Sequence, residues 1–511
     1  MGLPAAGGVL DIAIVGAGLG GLCAAIRLRA TQGSSGGAGG AGDAGGAARI
    51  VVLERASQVG GTWRDNVYPG CACDVPSHLY SLSFEPKRDW SRPYPQQQEI
   101  QQYILRVVDK YALRPLIRLN TKVLQLRWLA EQGLWQIDLQ LDGINAPPLL
   151  ARHVVLATGP LNKPLIPELP GLSEFKGPSF HSSQWRHDLS LAGRRIAVVG
   201  TGASAVQFVP EIALQAAQVH VFQRTAAWVL PRWDKPYGAA KKWVYACVPG
   251  LQRLSRWRVY WFNELVGMGF MGAVWMQNNL RRLALMHLRA QVPDEPLRRA
   301  LTPDFAPGCK RLLISNTWFP TLQRPNVNLV TQPVTRVQAE GVVSADGVLH
   351  PCDVIIWGTG FKAAQMVTPL RVFGEAPAGQ AAPELGAQWR EHPAQSHLGI
   401  TVAGFPNLYM LVGPNTGLGH NSIIFMIEAQ VDYVARALTR LRRKGGAVLR
   451  LKVAVQAATY GAVQHAMKRT VWASGCHSWY QNERGQIDTL WPGFTWRYWL
   501  KTRRFNAADF E

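Results

Sequence analysis

Apolar residues in this chain come in short, nearly unbroken runs that end at glycine. The first is 10–15, where Asp11 is the one polar residue and Gly16 follows. A run of this length closed by a turn signal fits a strand buried on both faces. Residues 23–29 behind the turn read as a helix. The same succession returns at 195–199, Gly200 and 204–215. Further runs at 49–54, 219–223, 326–330 and 353–357 supply neighbouring strands, and 423–441 repeats apolar residues at helical spacing. From about Arg390 onward the pattern predicts alternating strands around that long helix. Strands alternating with helices predict an α/β protein with parallel sheets, and no repeat is evident beyond the two strand–turn–helix units.

The glycine positions give both units a chemical meaning. In the first turn Gly16 permits the tight bend, Gly18 lets a pyrophosphate approach the backbone, and Gly21 lets helix pack on strand. The helix amino end then favours phosphate charge. An acidic residue for the ribose is expected about 20 residues later. Glu54 lies 33 residues after Gly21, but 16 of these form a Gly/Ala/Ser-rich insert, 33–48, that reads as a flexible surface loop. Glu54 therefore stands at the ribose position and would repel a 2′-phosphate. The second turn has Gly200, Gly202 and then Ala205, a permitted variant at the third position. Nineteen residues further stand Arg224 and Thr225, with arginine where an NAD site carries an acid. A guanidinium there suits a 2′-phosphate, hence NADPH.

Composition narrows the classes. A chain of 511 residues, 47% hydrophobic and 17% charged, suits two or three ordered domains. Seven scattered cysteines do not suggest a disulfide framework and fit a reducing cytoplasm. The opening residues have no basic region ahead of the first strand, so no signal peptide is expected. No metal site is expected. The net charge is +21, yet no nucleic-acid-binding motif accompanies it. Much of the charge gathers between Arg232 and Arg299, with twelve Lys/Arg against four Asp/Glu and five of the nineteen tryptophans. The longest apolar run there, 265–276, is about half a membrane span. A helical insertion that walls a substrate pocket is the preferred reading; an interfacial helix at a membrane is the alternative.

Between the two turns lies Phe175-Lys-Gly177-Pro-Ser-Phe-His181-Ser182-Ser-Gln-Trp185. It resembles the signature of the Baeyer–Villiger monooxygenases, F-x-G-x-x-x-H-[T/S]-x-x-W. A second stretch, Gly60-Gly61-Thr62-Trp63 followed by Tyr68-Pro69-Gly70 and Asp74, is similar to another pattern of that family. A third is Lys310-Arg311. Two Thr-Gly turns, Thr158-Gly159 and Gly358-Thr359-Gly360, resemble the family's Ala-Thr-Gly segments, with Gly358 where alanine is usual.

The resemblance implies two Rossmann-like dinucleotide-binding domains, for FAD and NADPH, with a helical insertion at about 235–305 in the second. The FAD domain would comprise 1–160 and 386–511, and the NADPH domain 161–385. Asp74 would lie near the flavin and pair with Arg311, the active-site cation. Gly61, Thr62, Trp63 and Tyr80 would contact FAD, and Lys310 the NADPH phosphate. His181 and Trp185 would serve NADPH binding and domain movement rather than bond making. His420, at the entry of the long helix, is a weaker candidate for an acid or substrate contact. Cys71 and Cys73 read as packing residues, because Trp63 stands where a disulfide reductase has its first cysteine.

The implied reaction inserts one oxygen atom of O2 beside a ketone carbonyl, through a flavin peroxide, to give an ester or lactone in the cytoplasm. A flavin monooxygenase of amines or sulfides is the nearest alternative. A non-catalytic nucleotide sensor docked on membranes is the alternative of another class.

Overall fold

The structure is a computed structural model and describes residues 8–33, 49–376, 379–446, 448–476, 478, 480–482 and 484–511. Apart from Gly33, the glycine-rich insert lies outside the described residues.

Leu10–Val15 (β1) pairs in parallel with Ile50–Leu53 (β2) on one side and Ile144–Leu156 (β3) on the other. Ladder neighbours on both edges, the helix that follows on one face and a cluster with Leu126, Trp135 and Phe405 on the other account for its apolar composition. Leu19–Gly33 (α1) starts earlier and ends later than the sequence suggested. Its Ala, Leu and Arg residues are good helix formers and carry the helix past the apolar stretch. Strands Thr121–Leu129 and Leu134–Leu141 extend the sheet beyond β3 as an antiparallel meander.

The second sheet runs Val327–Val330 (β6), Gln218–Phe222 (β5), Arg195–Val199 (β4), Val354–Trp357 (β7), then Ser179–His181 at the edge. All its ladders are parallel. Part of the 175–185 signature is thus an edge strand, its Ser179–His181 register set by β7. Helix Ala205–Ile212 (α2) follows the second glycine turn. Between β5 and β6 the chain forms Ala239–Cys247 (α3), Leu251–Phe270 (α4) and Val274–Gln291 (α5).

After β7 the chain rejoins the first sheet twice. Arg371–Phe373 pairs with Thr121–Leu129, and Leu408–Met410 pairs with β3. Helix Ile423–Arg443 (α6) then packs against α1, and Thr495–Thr502 (α7) against α6. The alternating strands expected beyond Arg390 reduce, among the described residues, to Leu408–Met410. Ile400, Val402 and Phe405 are buried as their composition requires, but in loops. An apolar run reports burial more reliably than it reports a strand.

Cysteine usage also departs from expectation at one place. Cys309 and Cys476 form a disulfide, their Cα atoms 6.3 Å apart across 167 residues of sequence. Nothing local in the sequence joins two positions so far apart. The other five cysteines are free.

Candidate active site

A cleft of about 1100 Å³ runs between the two sheets, and both glycine turns line it. At the first turn Gly16 has φ +105°, and a Cβ there would sit 2.6 Å from the Ala157 carbonyl oxygen. A Cβ on Gly21 would fall 1.9 Å from the Gly16 oxygen. Gly18 differs: its nearest neighbour would be the Gly61 Cα at 3.8 Å, so its backbone stays open to the cleft. That is the cradle a pyrophosphate needs, at the amino end of α1. Glu54 is buried beside it. Its carboxylate accepts from Ala17 N at 2.8 Å and Ala56 N at 3.0 Å, and pairs with Arg64 at 3.0 Å.

At the second turn Gly200 has φ +104° and would clash with the Gly358 carbonyl oxygen at 2.5 Å. A Cβ on Gly358 would lie 3.3 Å from the Ala205 Cβ, tighter than ordinary packing. The two departures noted in the sequence, Ala205 and Gly358, therefore compensate each other across one contact. Gly177, in the signature, is fixed similarly: a Cβ would meet the Asp353 oxygen at 2.3 Å and the Phe175 ring at 2.9 Å.

Arg224, Thr225 and Lys310 also line the cleft, and Arg224 is exposed to it. Burial, and then the neighbouring Arg224 charge, hold Lys310 below the usual lysine range. Two cations close enough to repel form a site that an anion such as a 2′-phosphate would relieve.

Deeper in the cleft, Asp74 and Arg311 meet. The Arg311 Nε and Nη2 both donate to Asp74 Oδ2, at 2.9 and 2.7 Å, and Nη1 points at the Leu418 and Gly419 carbonyls at 3.4 Å. Enclosure opposes a cation here, yet the Asp74 carboxylate, with Tyr480, outweighs it and raises the guanidinium further. About a quarter of the Arg311 side chain remains reachable from the cleft. Beside the pair, Trp63 Nε1 donates to the Tyr80 hydroxyl at 2.9 Å, the rings edge to face at 5.6 Å.

The 175–185 segment stands back from this pair. His181 is fully buried; its Nδ1 accepts from Ser183 N at 3.2 Å, and burial lowers its pKa. Trp185 packs on Phe208 of α2 at 5.3 Å, and Phe208 on Tyr68 at 5.9 Å. Rings thus connect the linker to the loop that carries Asp74. Gln207 of α2 reinforces this, bonding to Tyr68 and to both backbone groups of Ala72 at 3.0–3.2 Å.

Comparison with known proteins decides the family. The flavin-binding monooxygenase-like family model matches residues 11–245. A Baeyer–Villiger monooxygenase of Streptomyces coelicolor is 41% identical over 98% of this chain and 92% of its own length. One from Pseudomonas aeruginosa is 40% identical over 99% and 92%. The chain belongs to the Baeyer–Villiger monooxygenases. Among solved structures of the group, OTEMO in complex with FAD and NADP superposes with a TM-score of 0.83 at 26% identity, covering 98% of this chain and 99% of that one.

Several site features of this Baeyer–Villiger monooxygenase escaped the sequence reading. Tyr480 and the Leu418 and Gly419 carbonyls reach Arg311 from the C-terminal part, with no local motif to announce them. Gln207 sits in a motif position that asks only for a helix. His420 does not line the cleft; its side chain is fully buried, 3.5 Å from Glu264 Oε1. Burial also explains Cys71 and Cys73. It pushes Cys71 up to about 12 and Cys73 well above its usual value, so neither is a ready thiolate.

Proposed function

We propose that this Baeyer–Villiger monooxygenase holds FAD at the first turn and NADPH at the second. It converts a ketone to an ester or lactone, with one oxygen atom of O2 entering the product and the other leaving as water. NADPH supplies the two electrons that balance the step. The reading gives FAD to 1–160 and 386–511 and NADPH to 161–385.

The observation that carries it is the Asp74–Arg311 pair inside the cleft that both turns line. FAD, when bound, supplies the chemistry that passes electrons from NADPH to O2. The residues of this chain do the rest. Gly16, Gly18 and Gly21 admit the FAD pyrophosphate, and Glu54 accepts from its ribose. Arg224 and Lys310 neutralise the 2′-phosphate and so select NADPH. Trp63 and Tyr80 wall the flavin position. Arg311 stays protonated through the cycle and stabilises negative charge that develops on the substrate carbonyl oxygen, as a lysine of tunable pKa would not. Asp74 fixes the guanidinium plane. His181 and Trp185 couple the two nucleotide sites. A cytoplasmic setting, where NADPH is available, belongs to the same reading.

The test supplies FAD-loaded enzyme with NADPH, 18O2 and a set of cyclic, linear and aryl ketones, and reads products by mass spectrometry. Esters carrying one labelled atom are expected. Oxygenation confined to sulfides or amines, with every ketone returned unchanged, overturns the assignment.

A further inference from the structure

Helix α4 carries an apolar stripe on its outer face. Leu254, Trp257, Trp261, Phe262 and Leu265, spaced three and four apart, form one stripe, and that stripe faces outward, each residue 46–57% exposed. The inward face is mixed: Tyr260 and Phe270 are buried there with Gln252 and Glu264, and Arg256 is half-buried beside them. Arg256 donates to the carbonyls of His78, Leu79 and Ser81, and Glu264 is only 3% exposed. A helix on a protein surface ordinarily turns charged and polar residues outward instead. Trp257 and Trp261 lie side by side, their planes 20° apart. Trp243 of α3 and Trp275 of α5 are also more than half exposed, so the apolar surface extends over three helices. Contiguous exposed apolar surface of this kind marks an interaction site.

Charge identifies the partner. Arg253 and Arg258 flank the stripe, and Arg281 and Arg282 lie exposed on α5. Between residues 235 and 293 the one acidic residue is Glu264, which is buried. The face therefore offers cations and tryptophans and no accessible carboxylate. Two copies meeting through it would oppose like charges with nothing to pair them. Among the described residues no helix is long and apolar enough to cross a membrane. Tryptophan and arginine around an apolar stripe are what a helix lying at a lipid–water boundary requires.

We propose that the α3–α5 face seats this protein on the surface of an anionic lipid bilayer. The apolar stripe enters the headgroup boundary and the arginines engage lipid phosphates and carboxylates. The site faces both ways along α4. Glu264, on the inner side, binds Asn421 at 2.6 Å, and Asn421 lines the cleft. Docking thus sets the catalytic cleft one helix away from the lipid, a position suited to ketones that partition into the bilayer.

The test sediments full-length, FAD-loaded protein with phosphatidylcholine vesicles that contain or lack phosphatidylserine. Recovery with the anionic vesicles is expected, with a blue-shifted tryptophan emission, and recovery falls as salt rises. Trp257→Ser combined with Trp261→Ser should weaken binding about tenfold or more, and so should Arg253→Glu combined with Arg258→Glu. Both pairs are exposed, and NADPH oxidation by the variants checks that they fold. The proposal is overturned if protein stays in the supernatant, if both variants bind like the parent, or if the stripe substitutions instead abolish a concentration-dependent dimer. Binding to nucleic acid but not to vesicles overturns it too. None of these readouts depends on which substrate is oxidised.

Discussion

Arg311 is held by one carboxylate oxygen and faces two carbonyl oxygens, so its charge is fixed in position as well as in sign. Arg311→Ala should lower ester formation by about 10²–10³ while flavin absorbance shows FAD retained. Arg311→Lys should recover part of the rate, since it restores charge without the two-pronged contact. Arg224→Ala should raise KM for NADPH about tenfold or more and leave KM for NADH nearly unchanged. The Arg224–Lys310 pair also sets a pH dependence. Lys310 loses its proton below the usual lysine range, so kcat/KM for NADPH is high below that point and falls as pH rises through it. Removing Arg224 takes away a repelling charge, and the alkaline limb of the profile should move to higher pH.

These residues differ in how they could be read. Asp74, Lys310 and Arg311 were legible only as family motifs, because 237 positions separate the two partners of the ion pair. Gly16, Gly18 and, once the 33–48 insert is set aside, Glu54 could be read from chemistry, since that spacing is what a dinucleotide demands. Tyr480 was not legible at all; its place against Arg311 exists only after the C-terminal part folds back.

At the scale of elements, β1, β4, β5 and α6 were visible as runs and periods, because burial on both faces or along one face leaves a mark in composition. The first sheet's meander at residues 121–141 lacks such an unbroken run and went unread, although its alternation of apolar with charged and amide side chains is the mark of half-exposed strands. Helix α4 shows the limit of periodicity, which finds a stripe but not the direction it faces. What orients α4 is Glu264. Its carboxylate accepts from Asn421 Nδ2 and Thr495 Oγ1, both at 2.6 Å, and from Thr495 N at 3.2 Å, so it secures the amino end of α7. Burial alone would raise its pKa, but His420, Thr495 and Asn421 lower it. Its contribution to stability is therefore complete above the unfolded value, near 4.5, and is lost as pH falls through the lower native value. Glu264→Ala leaves buried donors unpaired and should cost on the order of 2–3 kcal/mol, read as a lower thermal midpoint. Glu264→Gln should flatten the acid limb of midpoint against pH. A variant that melts like the parent would show that α4 is oriented by its other contacts.

Across the whole molecule, the Cys309–Cys476 bond ties the residue before Lys310 to the C-terminal part that carries Tyr480. Cys309→Ser should lower the thermal midpoint in the absence of reductant. Added reductant should bring the parent down to the same value and leave the variant where it is. A Cys309→Ser variant that melts like the unreduced parent would show that the bond contributes nothing to stability.

The order of strands has a consequence for how the protein is made. The second sheet is complete once Trp357 has been synthesised, whereas the first still lacks Arg371–Phe373, Leu408–Met410 and the covering helix α6. At about 5–20 residues per second, the unit that opens the sequence waits tens of seconds for the end of the chain. The unit with the second glycine turn is therefore expected to mature first, while the first unit is still unfinished on the ribosome. The first unit, proposed to hold FAD, would close only near termination, so flavin supply should act on a chain whose second sheet already exists.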